Sequence, residues 1–220
     1  MSETTQPHHL TNPSDSKKSE PTPPIEKLSV TEHQLKIGSR TLDYTATCGT
    51  LVLHEQHEKD GQALGDKPRA SVFFIAYTLK GVSDIEKRPL TFSFNGGPGS
   101  SSVWLHLGIL GPQRVATDAI GNPTPPPYTL LDNEHSLLLE SDLVFIDPVG
   151  TGLSRVAEGE KAAEFHDYQR DLDSVAEFIR LYTSRYKRWG SPKYLIGESY
   201  GTTRAAGLSL HLQEKHNFYL

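Results

Sequence analysis

Residues 193–201 read KYLIGESYG. A short apolar run, KYLIG at 193–197, enters a G-x-S-x-G centred on Ser199. The stretch that follows, TTRAAGLSLHLQEK at 202–215, has the composition of a helix. A G-x-S-x-G by itself is a common accident. Between a buried strand and a helix it has a mechanism: the serine sits on a tight turn above a sheet, and the glycines let strand and helix approach. The amide of Tyr200 then stands at the positive end of the helix, where an oxyanion would be stabilised. A serine nucleophile also needs a base and a group to orient it, yet the 19 residues after GESYG contain no Asp.

A second loop answers part of that need. LTFSFN at 90–95 reads as a strand and runs into FNGGPGSSS at 94–102. Acyl transfer places negative charge on a carbonyl oxygen and calls for two fixed N–H donors. One comes from the residue after the nucleophile and the other from a Gly-rich loop after an upstream strand. Asn95-Gly96-Gly97 stands where that loop belongs, and Pro98 stiffens it. No Lys follows in the Walker position, so a phosphate loop is not indicated.

The rest of the chain supplies a framework. LSVTEHQLKI and RTLDYTATCGTLVLHE read as strands joined by a turn at Ile37-Gly38-Ser39-Arg40. HEQHEKDGQALGDKPR reads as a polar loop, SVFFIAYTL at 71–79 as a buried strand, and residues 103–110 as one or two helical turns. GNPTPPP at 121–127 is irregular, since proline fixes φ and lacks a donor. LVFIDP at 143–148 is another buried strand. Over 164–188, Phe165, Tyr168, Leu172, Val175, Ile179, Tyr182 and Tyr186 recur at helical spacing, and Gly190 and Pro192 mark the stop. Strand, helix, strand, helix after residue 140 implies a parallel sheet with crossover helices, an α/β fold.

Composition narrows the function. The 220 residues are 35% hydrophobic and carry a formal charge of −5 with no Lys/Arg cluster, which argues against nucleic acid as a partner. Residues 1–27, rich in Ser, Thr, Pro, Lys and Glu, are expected to be a disordered tail ahead of one domain at 28–220. No signal-peptide core is visible, so the chain as written reads as cytoplasmic; a mis-assigned start would allow a periplasmic location. The longest apolar run, VFFIAY at 72–77, is too short to span a bilayer. Cys48 is the single cysteine, so no intrachain disulfide forms. HEQHE at 54–58 spaces His54 and His57 three apart instead of four, so no zinc helix or other metal site is expected. The GTG at 150–152 lacks the third glycine of a dinucleotide loop, and no cofactor is expected.

Taken together, FNGGPGSSS and LGP at 110–112, LVFIDPVGTGLS at 143–154 and YLIGESYG at 194–201 resemble the serine carboxypeptidase family, an α/β-hydrolase branch that removes C-terminal residues from peptides. The resemblance runs from about residue 70 to the end, and the strands before it look like those of bacterial members. It implies an α/β-hydrolase fold with Ser199 as the acylated nucleophile and Gly97 and Tyr200 as oxyanion donors. Asn95, Gly96 and Glu198 would bind the terminal carboxylate of a peptide or protein substrate. Two bare carboxylates repel, so Glu198 or the substrate would have to be protonated. Well-studied eukaryotic members carry a second glutamate just before LGP; here that position is Ile109. Activity is therefore expected to fall less steeply toward neutral pH. Ser100 stands where secreted members have a disulfide-bonded cysteine.

The base is expected elsewhere. The family order is Ser, Asp or Glu, then His. After Ser199 come only His211, Glu214 and His216. At ~1.5 Å rise per helical residue, His211 would be about 15 Å or more from the serine. Upstream His106 and His135 would break the order. The expectation is an N-terminal portion of a longer enzyme, inactive and poorly stable by itself. The competing readings are an esterase or acyltransferase on the same scaffold and a catalytically silent fragment. Oligomeric state is not legible.

Overall fold

A computed structural model describes residues 24–59 and 62–220. The expected tail falls, up to residue 23, outside the described residues. Ahead of the expected boundary at Leu28, Glu26 accepts from Val52 N at 2.9 Å and pairs with Arg185 at 2.8 Å.

Three antiparallel strands open the chain: β1 (Leu28–Ile37), β2 (Arg40–Lys59) and β3 (Gln62–Leu79). The turn at Ile37–Arg40 is the two-residue hairpin expected, with Gly38 at φ 58°. The sheet continues through β4 (Leu90–Phe94), β7 (Asp142–Ile146) and β9 (Lys193–Gly197). Its order is β1-β2-β3-β7-β4-β9, and a short β8 (Arg155–Val156) pairs with β3. Between β4 and β7 a ribbon of β5 (Gln113–Val115) and β6 (Leu130–Asp132) stands apart. β7, β4 and β9 are parallel, whereas β3 meets β7 antiparallel.

The chain leaves β4 toward β7 on one side and returns to β9 on the other. β4 is therefore a switch point, where the loops beyond the carboxyl ends diverge and open a crevice. NGGPG, DPVGTG and ESYG are those three loops.

Strand alternation separates two cores. One face (Phe74, Phe92, Phe94, Val144, Ile146) packs on helix α2 (Tyr168–Arg185) through Phe178, Ile179 and Tyr182, and on α3 (Tyr200–His216) through Leu208 and Leu212. Fully burying one such side chain contributes about 1.5–3 kcal/mol. The opposite face, with Leu143, Phe145 and Tyr77, packs on α1 (Val103–Leu105) and the π-helical turn His106–Leu110 that continues it. No helix among the described residues is long and apolar enough to cross a membrane.

Three local expectations are corrected. HEQHEKDGQALGDKPR gives its residues 54–59 to β2 and 62–69 to β3, not to a loop. Its polar side chains are held by remote partners: Arg69 pairs with Glu160 at 2.7 Å and Glu164 at 2.8 Å, and Lys67 also pairs with Glu160. The helix expected over 164–188 runs from Tyr168 to Arg185, because the Asp167 side chain accepts from Gln169 N and Arg170 N and fixes the start there. At its other end the left-handed residue is Lys187 (φ 54°), not Gly190.

Candidate active site

Ser199 sits on the turn from β9 into α3, and both it and Glu198 are exposed. Its backbone lies at φ 55°, ψ −124°, a region L-residues rarely occupy. The surroundings over-determine that conformation. Gly201 N donates to Glu198 O at 2.8 Å, and Thr202 returns both its N and its hydroxyl to Ser199 O at 2.9 and 2.7 Å. A Cβ on Gly197 would lie 2.0 Å from Gly201 O, so only glycine lets strand and helix meet so closely.

The NGGPG loop leaves the adjacent strand, β4, and packs against this elbow. A Cβ on Gly96 would lie 2.5 Å from Tyr200 N and 2.7 Å from Glu198 O. Glycine at 96 is thus what brings the second loop against the first. Gly97 follows, exposed, at φ 113°. Among the described residues neither Gly97 N nor Tyr200 N donates to a protein acceptor.

Asn95 is fully buried and ties the parts together. Its Nδ2 donates to Glu198 Oε2 at 3.0 Å, while its Oδ1 accepts from Leu105 N, in the last residue of α1, at 3.0 Å. Asn95, Gly96, Gly97, Glu198, Ser199 and Tyr200 are therefore brought together at the ends of β4 and β9. Ile109 lies on the π-helical turn and is 59% exposed.

Three residues missed in the sequence support this arrangement. Arg204, on α3, is fully buried and makes a two-pronged ion pair with Asp171 on α2, at 2.8 and 3.1 Å. Its Nη1 donates to Asn95 O at 2.8 Å, and its guanidinium lies 5.2 Å from the Tyr200 ring centroid. Burial, then the Asp171 carboxylate, pushes the Tyr200 phenol above its ordinary value. An Arg and an Asp 33 residues apart carry no pairwise signal in a single sequence. Asp147, at the end of β7, accepts from Ser102 N at 2.9 Å and Leu153 N at 3.2 Å, joining the DPVGTG loop to the SSS segment.

The histidines lie in other settings. His106 is on the α1 face, bonded to Tyr77 Oη at 2.6 Å, and burial lowers its pKa to about 4. His211 faces α2, 3.3 Å from Gln169 Nε2 and 3.1 Å from Asp173. His135 is exposed beside Glu134. Among the described residues no histidine is hydrogen-bonded to Ser199, and no group of three or more His, Cys, Asp or Glu is placed to hold a metal.

The serine carboxypeptidase family profile matches residues 56–218, nearly three-quarters of the chain. The chain belongs to the serine carboxypeptidase family. Among curated relatives, the pheromone-processing carboxypeptidase KEX1 of Phytophthora infestans is 28% identical over 176 residues, covering 70% of this chain and 26% of that protein. Serine carboxypeptidase-like 36 of Arabidopsis thaliana is 31% identical over 147 residues, covering 64% of this chain and 27% of its own length. Among solved structures, the prohormone-processing carboxypeptidase Kex1(delta)p of Saccharomyces cerevisiae superposes with a TM-score of 0.50 at 27% identity, covering 77% of this chain and 35% of that one. The fold is that of the α/β-hydrolases. The chain spans about a quarter of the length of the curated relatives it matches.

Proposed function

We propose that the protein is a serine carboxypeptidase that releases C-terminal residues from peptides through an acyl-enzyme on Ser199. The observation that carries this reading is the rare backbone geometry of Ser199 on a strand–turn–helix, with the Gly96–Gly97 loop packed against it.

Ser199 Oγ gives its proton to the general base and attacks the scissile carbonyl carbon, and the electron pair of the C=O moves to oxygen. The amides of Gly97 and Tyr200 receive that oxyanion. Collapse expels the amine of the terminal residue, which takes a proton from the general base, and water then hydrolyses the ester. Removing one donor of such a pair costs roughly 2.7–4 kcal/mol of transition-state stabilisation. Asn95, Gly96 and Glu198 hold the substrate's terminal carboxylate; Asn95 orients Glu198, and a shared proton removes the repulsion between the two carboxyl groups.

In this reading residues 28–220 are the N-terminal portion of one hydrolase domain. No described histidine serves Ser199, so the base and its orienting carboxylate come from residues outside this portion. The 220 residues alone are then inactive. The test uses the full-length protein with an N-blocked dipeptide as free acid and as amide. The free acid should be cleaved about ten-fold or more faster, the worth of one lost charged hydrogen bond, and Ser199→Ala should abolish turnover. Hydrolysis of simple esters without peptide cleavage would favour the esterase reading.

A further inference from the structure

Beside the NGGPG loop lies a cleft of about 290 Å³. That is below the roughly 300–1,000 Å³ of sites that engulf a whole ligand, and it suits one side chain. Pro98 and Gly99 form one wall and the turn Val149–Thr151 another, while Phe165, His166 and Asp171 close it from the α2 side. Asp171 is committed to Arg204 by two hydrogen bonds, so it presents no free charge. The His166 ring is exposed, and its Nε2 would sit 3.6 Å from a Cβ on Gly150, so the imidazole edge reaches across to the opposite wall. Among the described residues no partner occupies that ring.

His166 is also held in place. Its N donates to Ala163 O at 3.3 Å. The segment before it is pinned by Arg69, which binds Glu160 and Glu164 and lies 5.9 Å from the Phe165 ring centroid. The long hairpin thus buttresses one wall of the cleft. The cleft lies on the α2 face of the sheet, whereas Asn95 Oδ1 turns to Leu105 on the α1 face. The carboxylate subsite and this cleft therefore flank the oxyanion loop from opposite sides.

We propose that this cleft receives the substrate side chain on the acyl side of the scissile bond, and that His166 selects side chains carrying a hydrogen-bond acceptor, carboxylate or carboxamide. The inference rests on the Ser199 hydrolase reading. An imidazole N–H at the rim of a one-residue cleft favours Glu and Gln over Met, which has the same length and no strong acceptor.

The test measures kcat/KM of the full-length protein on N-blocked dipeptides with Glu, Gln or Met at the acyl position and a constant C-terminal residue. His166→Phe, which keeps the ring and removes the donor, should lower the Glu/Met and Gln/Met ratios about five-fold, the worth of one exposed polar contact. His166→Arg should raise Glu/Gln. Only ratios are read, so losses common to all three substrates cancel. Turnover with ratios unchanged in both variants overturns the subsite alone. Absence of turnover on every substrate overturns the hydrolase reading and the subsite with it.

Discussion

Asn95 Nδ2 donates to Glu198 Oε2 across 3.0 Å, linking residues 103 positions apart at the ends of two parallel strands. The same Asn95 accepts from Leu105 N, so one buried amide sets Glu198 against the α1 face, where Ile109 lies. Asn95→Ala should raise KM for free-acid peptides about ten-fold, the cost of one charged hydrogen bond, while kcat changes less. Glu198→Gln keeps the Asn95 bond and removes the charge, so KM for free-acid peptides should fall, because the repulsion between two carboxylates is gone. Ile109→Glu, which adds a carboxyl on that face, should raise it. Steady-state kinetics of the full-length protein on free-acid and amide substrates separate the three; a free-acid KM unchanged in Glu198→Gln would remove Glu198 from the carboxylate subsite.

Gly96 leaves no room for a side chain, since a Cβ would lie 2.5 Å from Tyr200 N. Gly96→Ala should push the two amides out of register and lower kcat by roughly 10²–10³, the usual cost of losing one oxyanion donor. Circular dichroism should remain native. A variant with wild-type kcat would mean that the two loops do not form the oxyanion site together.

Arg204 and Asp171 form a buried pair next to Tyr200. Arg204→Met should cost about 3–5 kcal/mol, because it strands a buried carboxylate. The double variant Arg204→Met, Asp171→Leu should recover much of that stability but not the activity, since Asn95 O still lacks its donor. Urea titrations of the full-length protein measure the first effect and kcat/KM the second.

His106 is held neutral by burial between Tyr77 and Phe145, with its pKa lowered from 6.5 to about 4. The unfolded chain takes up this proton near pH 6.5 and the folded one only near 4. Stability from this group is therefore full above pH 6.5 and is lost as pH falls toward 4, on the order of 3 kcal/mol in all. The double variant His106→Phe, Tyr77→Phe should flatten that part of the stability–pH curve. An unchanged slope between pH 6.5 and 4 would show that His106 is not its source.

Much of this was legible in KYLIGESYG and FNGGPGSSS, because a strand that must be buried and a turn that must be tight leave local marks. A parallel sheet with crossover helices followed from the strand–helix alternation after residue 140; the place of β4 between β7 and β9 did not. What was hidden depended on remote partners. Residues 54–69 look like a loop because their side chains are polar, while Arg69 is anchored by Glu160 and Glu164 across the fold, partners that a local reading does not reach. The start of α2 moved because Asp167 caps it, a local signal outweighed by the periodicity of Phe165. Arg204 and Asp171, 33 residues apart, carry no mark of pairing until two helices bring them face to face. His166 carried no signal at all, since its meaning comes from the cleft it borders.

Covalent labelling shows whether Ser199 is the nucleophile. The full-length protein, treated with a fluorophosphonate and digested, should yield one modified peptide mapping to Ser199, with labelling lost in Ser199→Ala. Labelling at another serine, or undiminished labelling in that variant, would contradict the account.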